Sequence, residues 1–526
     1  MLLNKLFQGE RMLALLQSFK GALLASFVLG VIATLGYAPF NIWPFTTLSL
    51  AFMLWTLTIQ EKPSMIFLIV FVYFVSLNAT NLWWLNFVMQ DFGQLPFIVS
   101  WLGVLLLSTY LALPYSILAF LVFKYFSKNI VAYILCFIPF IFFISDLIVG
   151  YLFTGFPWAY LGYSTLGSPF ETYAPLLGVR GINLMLVITS ASIALAVTRR
   201  FIFLPIAGVI FAFAIIFMGT SYTKDSEDSQ SFTLVQGNIE QSLKWNAQQV
   251  EPTIIKYMNL SDEYMNKRGN VIVWPESAIP LFIEQAEPFM YTIIEHAMFT
   301  NTHLITGIQH MDSKGHIYNT IANIHGKSSD ENYELYKKRH LVPFGEFVPF
   351  EKLLRPLAKI FNFPMSGFTN GDYIQDNIKI GSLNMIPAIC YEAIFPELIA
   401  SLDSKESQGI LMVSNDSWFG LTRGPQEHLD IARMRSLELQ KPMIRATNSG
   451  ITAYIGKDGK VIDSLPQNTD AVLNIDFVGA KGQTPHSKFG DLIIYILSLI
   501  LLTIGIIIYK KDFDPKKNAL VSMVRP

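Results

Sequence analysis

Three residues of this chain combine the types that nucleophilic catalysis needs: a thiol, a carboxylate and an ammonium group. Cys390 ends the apolar run NMIPAIC at 384–390 and is expected at a strand end where the chain turns. Glu276 follows VIVWP in the same manner, and Lys338 lies in YKKRHLVPFGE. A nucleophile works with a base that takes its proton and with positive charge where an oxyanion develops. In a partly desolvated pocket Glu276 would rise toward a usable general base, while Lys338 beside Cys390 would favour thiolate and steady the oxyanion. Glu346 and Glu392 would then hold the lysine and the attacking geometry. Each residue also has a plainer reading: a buried small hydrophobe for Cys390, a helix cap for Glu276, a surface position for Lys338. Spacing alone does not bring them together.

The elements that must position these residues lie between 231 and 490. Short apolar runs at 231–239, 270–278, 302–309, 384–392, 409–416, 442–455 and 471–477 read as strands. Helix-like stretches at 246–265, 281–299 and 425–440 separate several of them, and GKDGK at 456–460 reads as a turn. This is an α/β domain with helices packed outside a sheet. Residues 221–230 read as its linker.

The rest of the chain avoids charge. Of 526 residues 52% are hydrophobic and 15% charged, against roughly a quarter charged in ordinary soluble domains. Residues 1–220 hold nine Lys or Arg, five Asp or Glu and none of the eight histidines. Seven apolar segments, at 16–36, 43–59, 64–88, 95–123, 127–149, 178–198 and 201–219, are expected to cross a membrane, with an eighth at 491–510. The domain organisation expected is a membrane domain over 1–220, the linker 221–230, an external domain over 231–490, the last helix 491–510 and a tail 511–526.

Basic residues give the orientation. Lys5, Arg11 and Lys20 precede the first segment, Lys62 follows the second, Lys124 and Lys128 the fourth, Arg199 and Arg200 the sixth, and Lys510, Lys511, Lys516, Lys517 and Arg525 the eighth. All fall on one side of an eight-span chain, so both termini are expected in the cytoplasm and 231–490 outside the inner membrane. There Cys390 faces an oxidising space with no second cysteine in its domain, and its thiol is either well buried or kept for chemistry. Asp146, inside an apolar segment, is expected to make a structural ion pair or hydrogen bond; direct substrate contact is the other reading.

The formal net charge of −1 argues against a global grip on nucleic acid, and two cysteines exclude a disulfide scaffold. The scattered histidines suggest no metal, and no Gly-rich loop suggests a phosphate cofactor; no cofactor is expected.

WPES, YxKxxLVPFGE and ICYE, in this order, resemble the Glu–Lys–Cys triad of the nitrilase, or carbon–nitrogen hydrolase, superfamily. With the eight-helix frame, QGNIEQSLKW at 236–245 and SNDSWFG at 414–420, they look like the apolipoprotein N-acyltransferases of Gram-negative bacteria. The resemblance implies an αββα sandwich on eight transmembrane helices, with Glu276 as base, Lys338 as the lysine and Cys390 as nucleophile. Glu346, Glu392 and Tyr391 would support them, and Trp245, Tyr391 and the region from Asn415 to Trp418 match family pocket positions. The reaction implied moves an acyl chain from a membrane phospholipid, usually phosphatidylethanolamine, to the α-amine of a diacylglyceryl-cysteine at a lipoprotein N-terminus. Residues 352–373, apolar with Pro and Gly, read as a lid over a lipid groove, with Phe361, Phe363, Met365 and Phe368 touching the acyl chain. A tethered amidase and a non-enzymatic membrane protein are the alternatives.

Overall fold

The computed structural model describes residues 10–511 apart from much of 287–301 and the stretches 326–332 and 350–366. It divides into two compact units. One holds the residues up to Trp83, Trp101–Met218 and the residues from Asp491; the other holds Trp84–Ser100 and Gly219–Gly490.

In the first unit, six helices among the described residues are long and apolar enough to cross a membrane: Phe19–Gly36, Pro63–Asn81, Phe97–Phe126, Ala132–Thr154, Pro169–Val197 and Leu492–Lys511. The segments expected at 43–59 and 201–219 are the shorter apolar helices Pro44–Thr58 and Phe201–Ile216. The segment expected as one span over 64–88 ends at Asn81, and a separate short helix, Leu85–Asp91, follows. Asp146 is buried and hydrogen-bonded. It accepts from the Tyr115 hydroxyl at 2.5 Å and from Asn183 Nδ2 at 2.8 Å. Those bonds meet the cost of a carboxylate among apolar helices.

The second unit is a sandwich of two sheets. In the first, the order is β13 (Ala471–Gly482), β1 (Thr223–Gln236), β2 (Val271–Val273), β4 (His303–Met311), β5 (Ile317–His325), β6 (Tyr333–Lys337), with β3 (Ile279–Phe282) also on β4. In the second it is β12 (Val461–Ser464), β11 (Ala453–Ile455), β10 (Met443–Thr447), β9 (Gly409–Ser414), β8 (Leu383–Ile389), β7 (Ile378–Ile380). Of the linker expected over 221–230, residues 223–230 begin β1, with 223–225 and 229–230 paired to β13 on either side of a bulge. The stretch expected as a helix over 281–299 starts inside β3, and much of it lies outside the described residues.

Side-chain alternation explains the layers. Val271 and Val273 enter the core between the sheets with Leu411, Val413, Ile444 and Ala446. Ile272 points the other way, to a second core with Ile254 and Tyr257 of the helix Val250–Met265. In β10, Arg445 alternates with inward Ile444 and Ala446, and its Nη2 reaches His428 of the helix Gly424–Leu439 at 3.2 Å. Helix, sheet, sheet and helix follow in that order. A buried Val or Ile contributes roughly 1.5–3 kcal/mol, enough in sum to carry buried ions at the strand ends that cost several kcal/mol each.

Candidate active site

Parallel strands put the chemistry at one end of the sandwich. β2 is parallel to β1 and β4, and β9 is parallel to β8 and β10. Glu276 follows β2, Cys390 follows β8, and Asn415 and Asp416 follow β9. Ligand crevices of open parallel sheets form beyond such carboxyl ends.

Cys390 leaves β8 with φ +49, a left-handed conformation rarely taken by a residue with a Cβ. Such strain costs about 1–3 kcal/mol and persists only where neighbours hold it. Glu392 is one such neighbour. Its buried carboxylate accepts from the N–H groups of Ile389 (2.7 Å) and Arg339 (2.6 Å) and from the Tyr336 hydroxyl (3.0 Å). Burial pushes Glu392 up, with Arg339 pulling it back. On the other side His428 Nε2 meets the Cys390 carbonyl at 3.2 Å, and Nδ1 meets Asp416 Oδ1 at 2.9 Å. Asp416 Oδ2 accepts from Arg445 Nη2 at 2.6 Å.

Glu276 sits in a turn that needs a glycine beside it. A Cβ on Gly307 of β4 would lie 2.3 Å from the Ser277 nitrogen and 2.5 Å from Glu276 Cα. The Glu276 Oε1 atom accepts from Asn319 Nδ2 (2.8 Å) and Lys338 Nζ (3.3 Å), and Oε2 accepts from the Asn415 N–H at 2.9 Å. Lys338, 1% exposed, also donates to Glu346 Oε1 at 2.9 Å, and Glu346 Oε2 accepts from the Val342 N–H at 2.7 Å. The Lys338–Glu346 loop is thus closed by its own backbone.

The electrostatics tie the three together. Burial pushes the Cys390 thiol well up, the Glu276 carboxylate adds to this, and Lys338 pulls it down. Lys338 is held above its ordinary range: burial lowers it, and Glu276 and Glu346 outweigh that. Glu276 is a correction to the sequence expectation. Burial does raise it, but the Lys338 ammonium, the Asn319 bond and Lys244 together bring it below the ordinary carboxylate range.

The other expected positions are scattered around this centre. Tyr391 is buried against Phe395, with ring centroids 5.3 Å apart. Asn415 spends its side chain on Gln241 and Asn448, and its backbone holds Glu276. Trp418 packs edge-on against Phe92 at 4.8 Å, and Trp245 is exposed. Phe361, Phe363 and Met365, and with them most of the expected lid, lie outside the described residues. Phe368 is described: its N–H donates to the Glu346 carbonyl at 3.1 Å, and Gly371 N–H to the Lys338 carbonyl at 2.8 Å.

Lys244, Asn319 and His428 were not singled out from the sequence as site residues, and Asp416 only as part of the region from Asn415 to Trp418. Lys244 does fall within QGNIEQSLKW, and Asp416 within SNDSWFG. Ligand atoms of Cys390, Asp416 and His428 lie within 4.8 Å of one another. A metal ion there would have to displace a partner from one ring nitrogen of His428 and compete for Asp416, whose oxygens are held by Ser414, His428 and Arg445.

Residues 232–480 match the carbon-nitrogen hydrolase family, and 29–192 match the apolipoprotein N-acyltransferase N-terminal domain. An apolipoprotein N-acyltransferase of Vibrio cholerae is 38% identical over 90% of this chain and 94% of its own length. The chain belongs to the apolipoprotein N-acyltransferase family. The Vibrio parahaemolyticus enzyme of the same name is 38% identical over 93% of this chain and 97% of its own, and that of Vibrio vulnificus 36% over 93% and 97%. In this chain the α/β sandwich matches the carbon-nitrogen hydrolase family, and the described residues of the rest include six helices long and apolar enough to cross a membrane.

Proposed function

We propose that Cys390 is the nucleophile, Glu276 its base and Lys338 the group that stabilises the oxyanion in this acyltransferase. The protein is a multi-pass inner-membrane enzyme. It transfers a fatty acyl chain from a membrane phospholipid to the N-terminal diacylglyceryl-cysteine amine of apolipoproteins through a cysteine thioester, the final step of lipoprotein maturation. The observation that carries the residue assignment is the sharing of Glu276 Oε1 between Lys338 and Asn319, with the charges of Glu276 and Lys338 both acting on the Cys390 thiol.

In the first step the Cys390 S–H proton passes to Glu276 as sulfur bonds to the ester carbonyl carbon. The oxyanion forms beside the Lys338 ammonium. Collapse breaks the ester C–O bond, Glu276 returns the proton to the departing oxygen, and a lysophospholipid leaves. In the second step the acceptor amine attacks the thioester and gives a proton to Glu276. The C–S bond breaks, and the thiolate takes that proton back. Because burial keeps Cys390 a thiol at neutral pH, proton removal belongs to the bond-forming step and needs a base in contact. The depressed Glu276 is ionised and ready to accept.

Phosphatidylethanolamine is the donor that fits this reading, with a diacylated lipoprotein N-terminus as acceptor and the bilayer as the solvent of both. The basic residues support cytoplasmic termini, a membrane domain over 1–220, a periplasmic domain over 231–490 and a last span over 491–510. Glu346, Glu392 and Tyr391 support the triad. Trp245, Trp418, Asn415 and Phe368 are assigned to the surroundings of the acyl chain.

Purified protein incubated with phospholipid labelled in its acyl chain should acquire hydroxylamine-sensitive label, which a diacylated lipopeptide then removes. Cys390→Ala should acquire none. A thioester on that variant overturns the assignment, and loss of label to water without transfer would point to an amidase. A second reading makes His428 the base, because its ring lies within 4.8 Å of the Cys390 sulfur. Both ring nitrogens are already engaged, by Asp416 and by the Cys390 carbonyl, which favours Glu276.

A further inference from the structure

Lys244 is buried to 1% exposure in the turn after β1, just before Trp245. An ammonium group carries three donors and is expensive to bury unless they are met. Among the described residues this one has a single hydrogen bond, from Nζ to the main-chain carbonyl of Glu276 at 3.0 Å, and no carboxylate within ion-pair distance. The contrast with Lys338 is plain, since that amine lies within 3.3 Å of two carboxylates. A methionine of similar length would fill the same space; what the lysine adds is the bond to the Glu276 carbonyl and positive charge, directed at Glu276 first and Cys390 second.

We propose that Lys244 is a second lysine of the catalytic pocket, a positioning residue that pins the Glu276 main chain and whose charge keeps the Glu276 carboxylate ready for the Cys390 proton. The pin acts on a residue whose follower, Ser277, has φ +50, so the turn needs support on the carbonyl side. The charge acts across the elements that meet here. Glu276 follows β2, Lys338 and Glu346 follow β6, Cys390 and Glu392 follow β8, Asp416 follows β9, His428 lies on the helix Gly424–Leu439, and Glu240 shares the turn of Lys244 itself. Burial lowers Lys244 to about 8, against the raising pull of Glu276 and Cys390, so it titrates where Lys338 does not.

This inference rests on Cys390 as nucleophile and Glu276 as base, and its test separates the two. Single-turnover thioester formation from one labelled phospholipid in mixed micelles is measured from pH 5 to 9.5 for the wild type, Lys244→Met, Lys244→Arg and Glu276→Gln. The wild-type rate should change slope near pH 8. Lys244→Met should lack that inflection, run tenfold or more slower at pH 7, and lose rate in acid at a pH higher by about half a unit or more. Lys244→Arg keeps the charge and should lack only the inflection. An inflection near pH 8 that survives in Lys244→Met, or a rate merely scaled down with the profile unmoved, overturns the role of Lys244 while Glu276→Gln remains inactive. Full activity in Glu276→Gln overturns the base assignment itself. Should Lys244→Met fail to fold, Lys244→Arg decides, because an unaltered inflection in it also refutes the inference.

Discussion

The backbone N–H of Asn415 lies 2.9 Å from Glu276 Oε2, so the turn that ends β9 in one sheet holds a carboxylate carried by the other. Oε1 is held from the first sheet by Asn319 of β5. The proposed base is therefore fixed only when both sheets are in register at their carboxyl ends. Glutamine at 276 cannot accept at both oxygen positions, and its amide N–H₂ would face either the Asn415 N–H or the donors on Oε1. Glu276→Gln should slow thioester formation by roughly 10²–10⁴-fold. It should leave the membrane-extracted protein folded by circular dichroism. A rate within tenfold of wild type would count against Glu276.

Removing Lys338 leaves Glu276 and Glu346 buried on one Asn319 amide without their shared cation. Breaking a buried ion pair costs about 3–5 kcal/mol, so Lys338→Met should be inactive and melt well below the wild type. The pH dependence has a definite sign. Glu276 is depressed in the folded protein, so its contribution is present above the unfolded carboxylate value and fades as acid protonates it. In Lys338→Met burial acts on Glu276 with less opposition, and that carboxylate protonates more readily. The gap in melting temperature between wild type and variant should be widest near neutrality and narrow toward pH 5. A gap that is constant with pH would show that Lys338 stabilises by packing alone.

The ends of β2 and β8 were readable because short apolar runs stop at Glu276 and Cys390, and a strand buried on both faces leaves that signature. The apolar runs and turn residues pointed only to a sheet with helices packed outside it; the two-sheet sandwich was what the resemblance carried by WPES, YxKxxLVPFGE and ICYE implied. The direction of Glu276 was misread for a physical reason: its burial was visible in the apolar run, but the three partners that outweigh burial come from residues 244, 319 and 338. Lys244 was hidden because nothing within QGNIEQSLKW distinguishes a buried amine from a surface one. His428 sits in GPQEHLDIARMRSLEL, where polar residues would ordinarily face water, yet most of that helix is buried. The break after Asn81 was missed because apolar residues continue through LWWLNFVM without a Pro or Gly to mark it.

Gly307 tests whether the Glu276 turn is as tightly packed as its neighbours require. Alanine there would bring a methyl group to 2.3 Å from backbone nitrogen and 2.5 Å from a Cα, and backbone cannot rotate aside as a flexible side chain does. Gly307→Ala should therefore displace Glu276 from Lys338 and Asn415. We expect thioester formation to drop at least tenfold, while substrate-independent properties such as detergent extraction stay the same. Unchanged kinetics would mean that the turn moves without consequence.

The Glu392 carboxylate gathers two backbone N–H groups and a hydroxyl behind Cys390, and the size of its role can be separated from that of any one donor. Tyr336→Phe removes the hydroxyl that donates to Glu392 and accepts from Arg339 Nε at 2.9 Å, and should cost about 1–3 kcal/mol of stability, with activity within a fewfold of wild type. Glu392→Gln replaces one acceptor by an N–H₂ group that meets the Ile389 or Arg339 N–H head-on. It should cost more and lower the acylation rate far more than Tyr336→Phe does, because the strained Cys390 backbone loses its hold. Equal effects of the two substitutions on the rate would remove Glu392 from the support of the nucleophile.

His428 and Glu276 make opposite predictions as bases. If Glu276 takes the proton, His428 serves to hold the Cys390 carbonyl and Asp416, and glutamine at 428 can keep one of those bonds. His428→Gln should then lose rate by about tenfold, with the shape of the pH profile unchanged, while Glu276→Gln is nearly inactive. If His428 takes the proton, His428→Gln abolishes thioester formation and Glu276→Gln retains a measurable rate. Asp416→Asn adds an independent check. It weakens the grip on His428 and leaves the bonds from Asn319, Lys338 and Asn415 to the Glu276 carboxylate in place, so a loss as deep as that of Cys390→Ala would favour the histidine and a mild loss the carboxylate.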